Sequence, residues 1–180
     1  KGISSFVLEK GLEGFSVGKK ENKMGCRGSD TAFLHFDDVK VPKSSLIGGE
    51  GEGFKQFMKT LDGGRISIAA MALGLSVGAF ESAARYAATN SQFGEPMADQ
   101  QWVQFKLADM ACRIEAARGL IYGASVMKDK GLNYSQQSAM AKLYASEVCN
   151  FCTFEAIGII GADATSTKFP VERMWRDMKL

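Results

Sequence analysis

Thr60-Leu61-Asp62-Gly63-Gly64-Arg65 leads into residues 66–80, a run almost entirely apolar or small. How residues 54–90 are read decides the fold. Phe54, Phe57, Met58 and Leu61 make a first amphipathic stretch, and a long helix is predicted over residues 62–90. Its first half is apolar on all sides, as suits a helix at the centre of a bundle. Asp62 is a residue type that caps helix starts by accepting from the orphan N–H groups of the first turn. The glycines behind it leave room for a close crossing or backbone open to a ligand. From the residues alone, this motif is either an N-cap or an acceptor and a donor fork around a binding site.

Downstream the pattern stays helical. Val103, Leu107, Met110, Ile114, Ala117, Ile121 and Ala124 are spaced 4, 3, 4, 3, 4, 3, which is a helix-on-helix seam. Residues 128–133, with Gly131, form a turn. A third helix is expected over residues 135–160, then a polar loop over 161–169. Pro170 suits the first turn of a fourth helix, residues 171–180, in which Glu172 and Arg176 stand at i, i+4. Long helices joined by short loops predict an up-down four-helix bundle.

Upstream the pattern changes to strands. Residues 3–8 are an apolar run, Phe15-Ser16-Val17 and Ala32-Phe33-Leu34-His35-Phe36 alternate, and Val39-Lys40-Val41 alternates up to Pro42. Three or four short antiparallel strands without a closing partner predict a fragment of a sheet. The glycines of residues 47–54 match neither a dinucleotide fingerprint nor a P-loop and read as a linker and hairpin tip. The expected fold class is α+β, mainly α. Residues 1–48 are expected to be the end of a β-domain and residues 49–180 a helical-bundle domain truncated at its end. The chain starts inside a strand-like pattern and stops inside a helical one, so a piece of a longer protein is expected.

Composition narrows the chemistry. With 46% hydrophobic and 23% charged residues the chain reads as a soluble globular protein. A net charge of +2 does not point to nucleic acid or an anionic membrane. The apolar run at residues 66–77 is short and rich in Ala and Gly, as in a buried helix. Four cysteines in 180 residues are no disulfide framework, and a reducing compartment is expected. Cys149 and Cys152 have CxxC spacing inside a helical pattern and are expected to pack in the core. One histidine, His35, leaves no zinc cluster and no Ser–His pair. No metal site is expected, and binding of phosphorylated ligands by Arg, backbone N–H groups and helix ends is the favoured chemistry.

Many motifs in register carry a resemblance. They include Gly18-Lys19-Lys20, Phe36-Asp37-Asp38-Val39, Gly49-Glu50-Gly51, Leu61-Asp62-Gly63-Gly64-Arg65-Ile66 and Gln92-Phe93-Gly94. Gln104-Phe105-Lys106-Leu107-Ala108-Asp109-Met110 and Pro170-Val171-Glu172-Arg173 complete the set. Over essentially its whole length the chain resembles the acyl-CoA dehydrogenase family, of short- or medium-chain type. The resemblance implies an FAD-dependent oxidation of the Cα–Cβ bond of an acyl-CoA to a trans-2-enoyl-CoA. It also implies homotetramers (dimers of dimers) and electron transfer to an electron-transfer flavoprotein. A cytoplasmic or mitochondrial-matrix location is implied as well.

By position, Asp62, Gly63, Gly64 and Arg65 fall on the family's acyl-CoA contact segment. Gln92 and Phe93 fall where a neighbouring subunit's FAD is reached, and Gly158 and Gly161 on the loop meeting the FAD pyrophosphate. Three departures stand out: Asn90 where the family usually has Arg, Gly158 where it has Gln, and Asp163 near an expected diphosphate. A lost charge-assisted contact costs about 1.5–3 kcal/mol, so a non-catalytic relative that has lost FAD is the alternative reading. The resemblance places the catalytic base shortly beyond Leu180. In subfamilies that carry it on the long helix the matching position is Gly64, so no residue of this chain is assigned as base.

Overall fold

The structure, a computed structural model, describes residues 2–179. It divides into two units, residues 1–61 and 62–180. In the first, strand β1 (Ser5–Phe6) pairs antiparallel with β4 (Leu46–Ile47), and β2 (Phe15–Lys20) with β3 (Ala32–Phe36). In the β2–β3 ladder Phe15 faces Phe36 and Val17 faces Leu34, and the two phenyl rings stack at 5.2 Å. Val39 to Val41, expected as a strand, has no regular structure: it ends at Pro42, which brings no N–H to a ladder. Val17, Phe33, Leu34 and Phe36 are exposed, so these strands have an apolar face with no cover from this unit.

Helix α1 (Gly53–Thr89) starts in the first unit and supplies the first helix of the second. Gly53 is buried, and a side chain there would meet the Ile3 carbonyl oxygen at 2.8 Å, so only glycine fits. The helix runs unbroken through Gly63 and Gly64. Asp62 is therefore not an N-cap; it lies in the third turn, where its own backbone is already in the helical ladder. Two helical glycines cost about 1 kcal/mol each. Burial of Ile66 and Leu73, at about 1.5–3 kcal/mol per large side chain, outweighs that cost.

A second expectation is corrected on the same helix. Residues Ile66, Ala69, Leu73, Ser76, Ala83 and Ala87 are buried at alternating 3 and 4 spacing, with Phe80 half-buried between them. This is a heptad seam hidden in sequence by the apolar residues around it. Ile68 and Met71 are exposed, so α1 is one-sided in this chain rather than enclosed. By length and composition alone α1 and the helical segment Ser135–Thr165 are also long and apolar enough to span a membrane. Here they are bundle helices.

A two-residue hairpin follows, β5 (Ser91–Gln92) and β6 (Glu95–Pro96). Phe93 and Gly94 turn it with φ of 56° and 85°, the positive pair a tight hairpin needs. Helix α2 (Gln101–Asp129) buries Val103, Met110, Ile114, Ala117, Ile121 and Ala124 and half-buries Leu107, the expected seam. Helix α3 (Ser135–Ile160) answers with Ala141, Ala145, Val148, Cys152, Ala156 and Ile159. The two are cross-linked by a Lys106–Glu155 ion pair. Two buried hydroxyls of the bundle are satisfied within their helices: Ser76 donates to Ala72 O and Thr153 to Cys149 O, each at 2.8 Å.

Helix α4 (Val171–Asp177) closes the second unit. Its Glu172 and Arg176 form the expected i, i+4 pair at 2.9 Å.

Cys149 and Cys152 are buried as expected. Burial raises the Cys149 thiol from 9.0 to about 11 and the Cys152 thiol to about 12. Both stay protonated in the folded chain, while above about pH 9 the unfolded chain ionises them. Their contribution to stability is therefore full below pH 9 and is lost as pH rises toward 11 and 12. At neutral pH a thiol reagent is expected to modify exposed Cys112 readily and to reach Cys149 and Cys152 only after denaturant is added. Equal labelling of all three in native protein would refute that burial.

Candidate functional site

The Asp62–Arg65 segment lies on α1 where the end of α2 and the start of α3 approach it. One turn of α1 puts the two side chains on one face, and the Arg65 guanidinium donates from Nη1 to Asp62 Oδ1 at 2.6 Å. The other carboxylate oxygen of Asp62 accepts from Ser135 Oγ at 2.5 Å, across 73 residues of sequence. Both oxygens of Asp62 are thus engaged, and the residue positions Arg65. The Arg65 side chain is 40% exposed and its guanidinium has spent one nitrogen here, leaving most of its five N–H donors for a ligand.

The two glycines differ. A Cβ at Gly63 would come to 3.4 Å from Lys128 Nζ and 3.8 Å from Tyr134 Oη, so this side of α1 faces the α2–α3 turn. A Cβ at Gly64 would meet nothing within 4 Å. Gly64 is therefore the open backbone beside Arg65, and no carboxylate stands at that position. Ser135, Lys128 and Tyr134 complete the surroundings. Sequence reading missed them because nothing local ties residues 128–135 to residue 62.

At the far end of α1, Asn90, Gln92, Gly158 and Gly161 line one cavity of about 220 Å³, together with Tyr86, Met97 and Trp102. Phe93 does not line it. It stands at the hairpin tip with 91% of its surface exposed, a large apolar group presented outward. Gln92 is exposed, and its carbonyl accepts from Gln100 Nε2 at 3.0 Å.

The polar groups here are turned inward. Asn90 Nδ2 donates to Tyr86 O at 2.9 Å and to Thr89 Oγ1 at 3.2 Å. Tyr86 Oη donates to Asp163 Oδ2 at 2.9 Å, and this hydrogen bond, with lesser help from burial, raises the phenol's pKa. Gly161 carries φ of 71° and ψ of −139° at the end of α3, a positive-φ backbone that favours glycine. The cavity wall thus offers amide and backbone groups, an outward aromatic beside it and a carboxylate nearby.

The fold is a bundle of α-helices preceded by short antiparallel strands, with an Arg–Asp pair on the first long helix. The family described as "Acyl-CoA dehydrogenase, C-terminal domain" matches residues 51–180, and the chain belongs to the acyl-CoA dehydrogenase family. It is 47% identical over 180 residues to the short-chain specific acyl-CoA dehydrogenase of Clostridium acetobutylicum, covering 100% of this chain and 48% of that protein. To the acryloyl-CoA reductase (NADH) of Anaerotignum propionicum it is 45% identical over 180 residues, covering 100% and 46%. The butyryl-CoA dehydrogenase structure from Megasphaera elsdenii superposes with a TM-score of 0.97 at 48% identity, covering 99% of this chain and 46% of that one. The chain spans about half the length of the curated relatives it matches.

Proposed function

We propose that the chain is the acyl-CoA-binding bundle of an enzyme that oxidises the Cα–Cβ bond of a short acyl-CoA to a trans-2-enoyl-CoA. The observation that carries this reading is the Arg65 fork, held by Asp62 and Ser135 beside open backbone at Gly64. Arg65 supplies a fixed, permanently charged donor for the anionic or carbonyl groups of the CoA ester. Asp62 and Ser135 hold it in one rotamer, so less freedom is lost on binding. None of this chain's residues is proposed as the base.

FAD is the proposed cofactor, and what it supplies when bound is an acceptor for the two reducing equivalents. The residues of this chain do not by themselves fit its diphosphate: Asn90 bonds back to its own helix, Gly158 has no side chain, and Asp163 adds a negative charge. Asp62 and Asn90 are 28 residues apart on or at the end of α1, about 42 Å at 1.5 Å per residue. Two ends so far apart serve two separate centres, which supports a homo-oligomer, a dimer of dimers, with Phe93 reaching a neighbouring subunit. An electron-transfer flavoprotein is the proposed redox partner, in the cytoplasm or the mitochondrial matrix.

The second reading, a flavin-free relative that keeps the bundle for binding and assembly, is favoured by the same inward bonds of Asn90 and Tyr86–Asp163. One experiment separates the two. The intact protein is purified, its flavin content is measured, and butyryl-CoA is added while the flavin absorbance is followed. Bound flavin that bleaches supports the enzyme. Absence of flavin, with no gain from Asn90→Arg, supports the binding protein.

A further inference from the structure

Lys128 and Tyr134 are polar groups beside Gly63 that no internal bond consumes. Lys128 lies in the last turn of α2 and Tyr134 immediately before α3, so both come to α1 from the turn joining those helices. A Cβ on Gly63 would stand 3.4 Å from Lys128 Nζ and 3.8 Å from Tyr134 Oη. Glycine carries only hydrogen there. An ammonium and a phenol hydroxyl therefore stand over bare backbone, one residue from the open side of Gly64.

The charged groups around them are spent. Both carboxylate oxygens of Asp62 are taken, one by Arg65 and one by Ser135. Ion pairs hold Lys106, Arg113 and Arg118 of α2. Among the described residues Lys128 has no ion pair, and the Tyr134 hydroxyl has no hydrogen-bond partner. Lys128 is also exposed, so a ligand can reach it. Arg65 and Lys128 against Asp62 leave these three side chains around Gly63 with a net positive charge.

We propose that Lys128, with the Tyr134 hydroxyl, binds a phosphate group of the CoA moiety and so selects the carrier rather than the acyl chain. This inference rests on the acyl-CoA reading of the Arg65 segment and extends it to the phosphate-bearing end of the ligand. A lysine ammonium is a compact point charge with three donors, which suits a phosphate oxygen. The phenol O–H supplies a further donor. A neutral thioester or amide makes little use of a full positive charge, so the charge is what assigns the phosphate. Either the phosphate monoester on the CoA ribose or the diphosphate fits this chemistry. The donors come from the α2–α3 turn and the Arg65 fork from α1, so one extended ligand is held from two elements at once.

Equilibrium titration of the intact protein with butyryl-CoA, butyryl-dephospho-CoA and butyryl-pantetheine, which has no phosphate, tests it. Wild type is expected to bind butyryl-CoA more tightly than butyryl-pantetheine. Lys128→Gln is expected to weaken butyryl-CoA about three- to fivefold, as suits a contact by an exposed charge, and to leave butyryl-pantetheine unchanged. Lys128→Arg keeps the charge and is expected to retain most of the affinity. Lys130→Gln removes the same charge two residues away and is expected to leave all three ligands unchanged. A loss in Lys128→Gln that persists with butyryl-dephospho-CoA assigns the diphosphate, one confined to butyryl-CoA assigns the ribose phosphate, and either supports the proposal. Unchanged butyryl-CoA affinity in Lys128→Gln overturns it, as does an equal loss with butyryl-pantetheine or in Lys130→Gln. If neither butyryl-CoA nor butyryl-pantetheine binds the wild type, the acyl-CoA reading falls and takes this inference with it. Where Lys128→Gln unfolds the protein by circular dichroism, the wild type decides: butyryl-pantetheine bound as tightly as butyryl-CoA overturns the proposal.

Discussion

Arg65→Ala is expected to weaken binding of butyryl-CoA to the intact protein about 10- to 150-fold, the equivalent of one charge-assisted contact worth about 1.5–3 kcal/mol. The reason lies in how the side chain is held. Its 2.6 Å bond to Asp62, itself fixed by Ser135, leaves most of the guanidinium donors facing outward. Arg65→Lys keeps the charge and loses the fork, so a partial loss is expected. Ser135→Ala removes a support two steps from the ligand, and its effect should be smaller than that of Arg65→Ala. Equilibrium titration of the three variants checks the order. Unchanged affinity in Arg65→Ala would remove this segment from the binding site.

Met110→Ala is expected to be the most damaging of the conservative core substitutions, costing about 2–5 kcal/mol of folding stability. Met110 is fully buried in the α2 seam, between Val103 and Ile114 on one side and the α3 residues on the other. Removing its thioether chain leaves a cavity that the rigid helix pair cannot close. Glu115→Ala, one residue off the seam, breaks only an exposed pair with Arg118 at 3.1 Å, and such pairs contribute little. Denaturant unfolding of the two variants should separate them clearly. A Met110→Ala curve that overlays wild type would mean that the α2–α3 interface is not packed as described.

Several features were legible because they are local. The seam of α2 could be read from a repeat of apolar residues, since helix geometry alone places positions 3 and 4 apart on one face. The extent of α3, the proline entering α4 and the burial of Cys149 and Cys152 follow from the same periodicity. The heptad seam of α1 was present too, but alanine, glycine and methionine on its other faces masked it. Only burial distinguishes Ala69 and Ala83 in the seam from Ala70 outside it.

The candidate sites divide the same way. The residue types at Asp62 and Arg65 advertised a polar pair before an apolar run, whereas the capping alternative for Asp62 depended on where the helix begins. That is set by tertiary packing: burial of Ile66 and Leu73 carries α1 through Gly63 and Gly64 despite their helix cost. Asp62 then bonds to Ser135, and Tyr86 to Asp163, across 73 and 77 residues. The sequence by itself determined the helices, the family and the residues worth inspecting, because periodicity and motifs are properties of neighbours along the chain. Which groups are spent on internal bonds and which remain for a ligand was decided by the fold alone, because a hydrogen bond forms only between atoms that folding brings together.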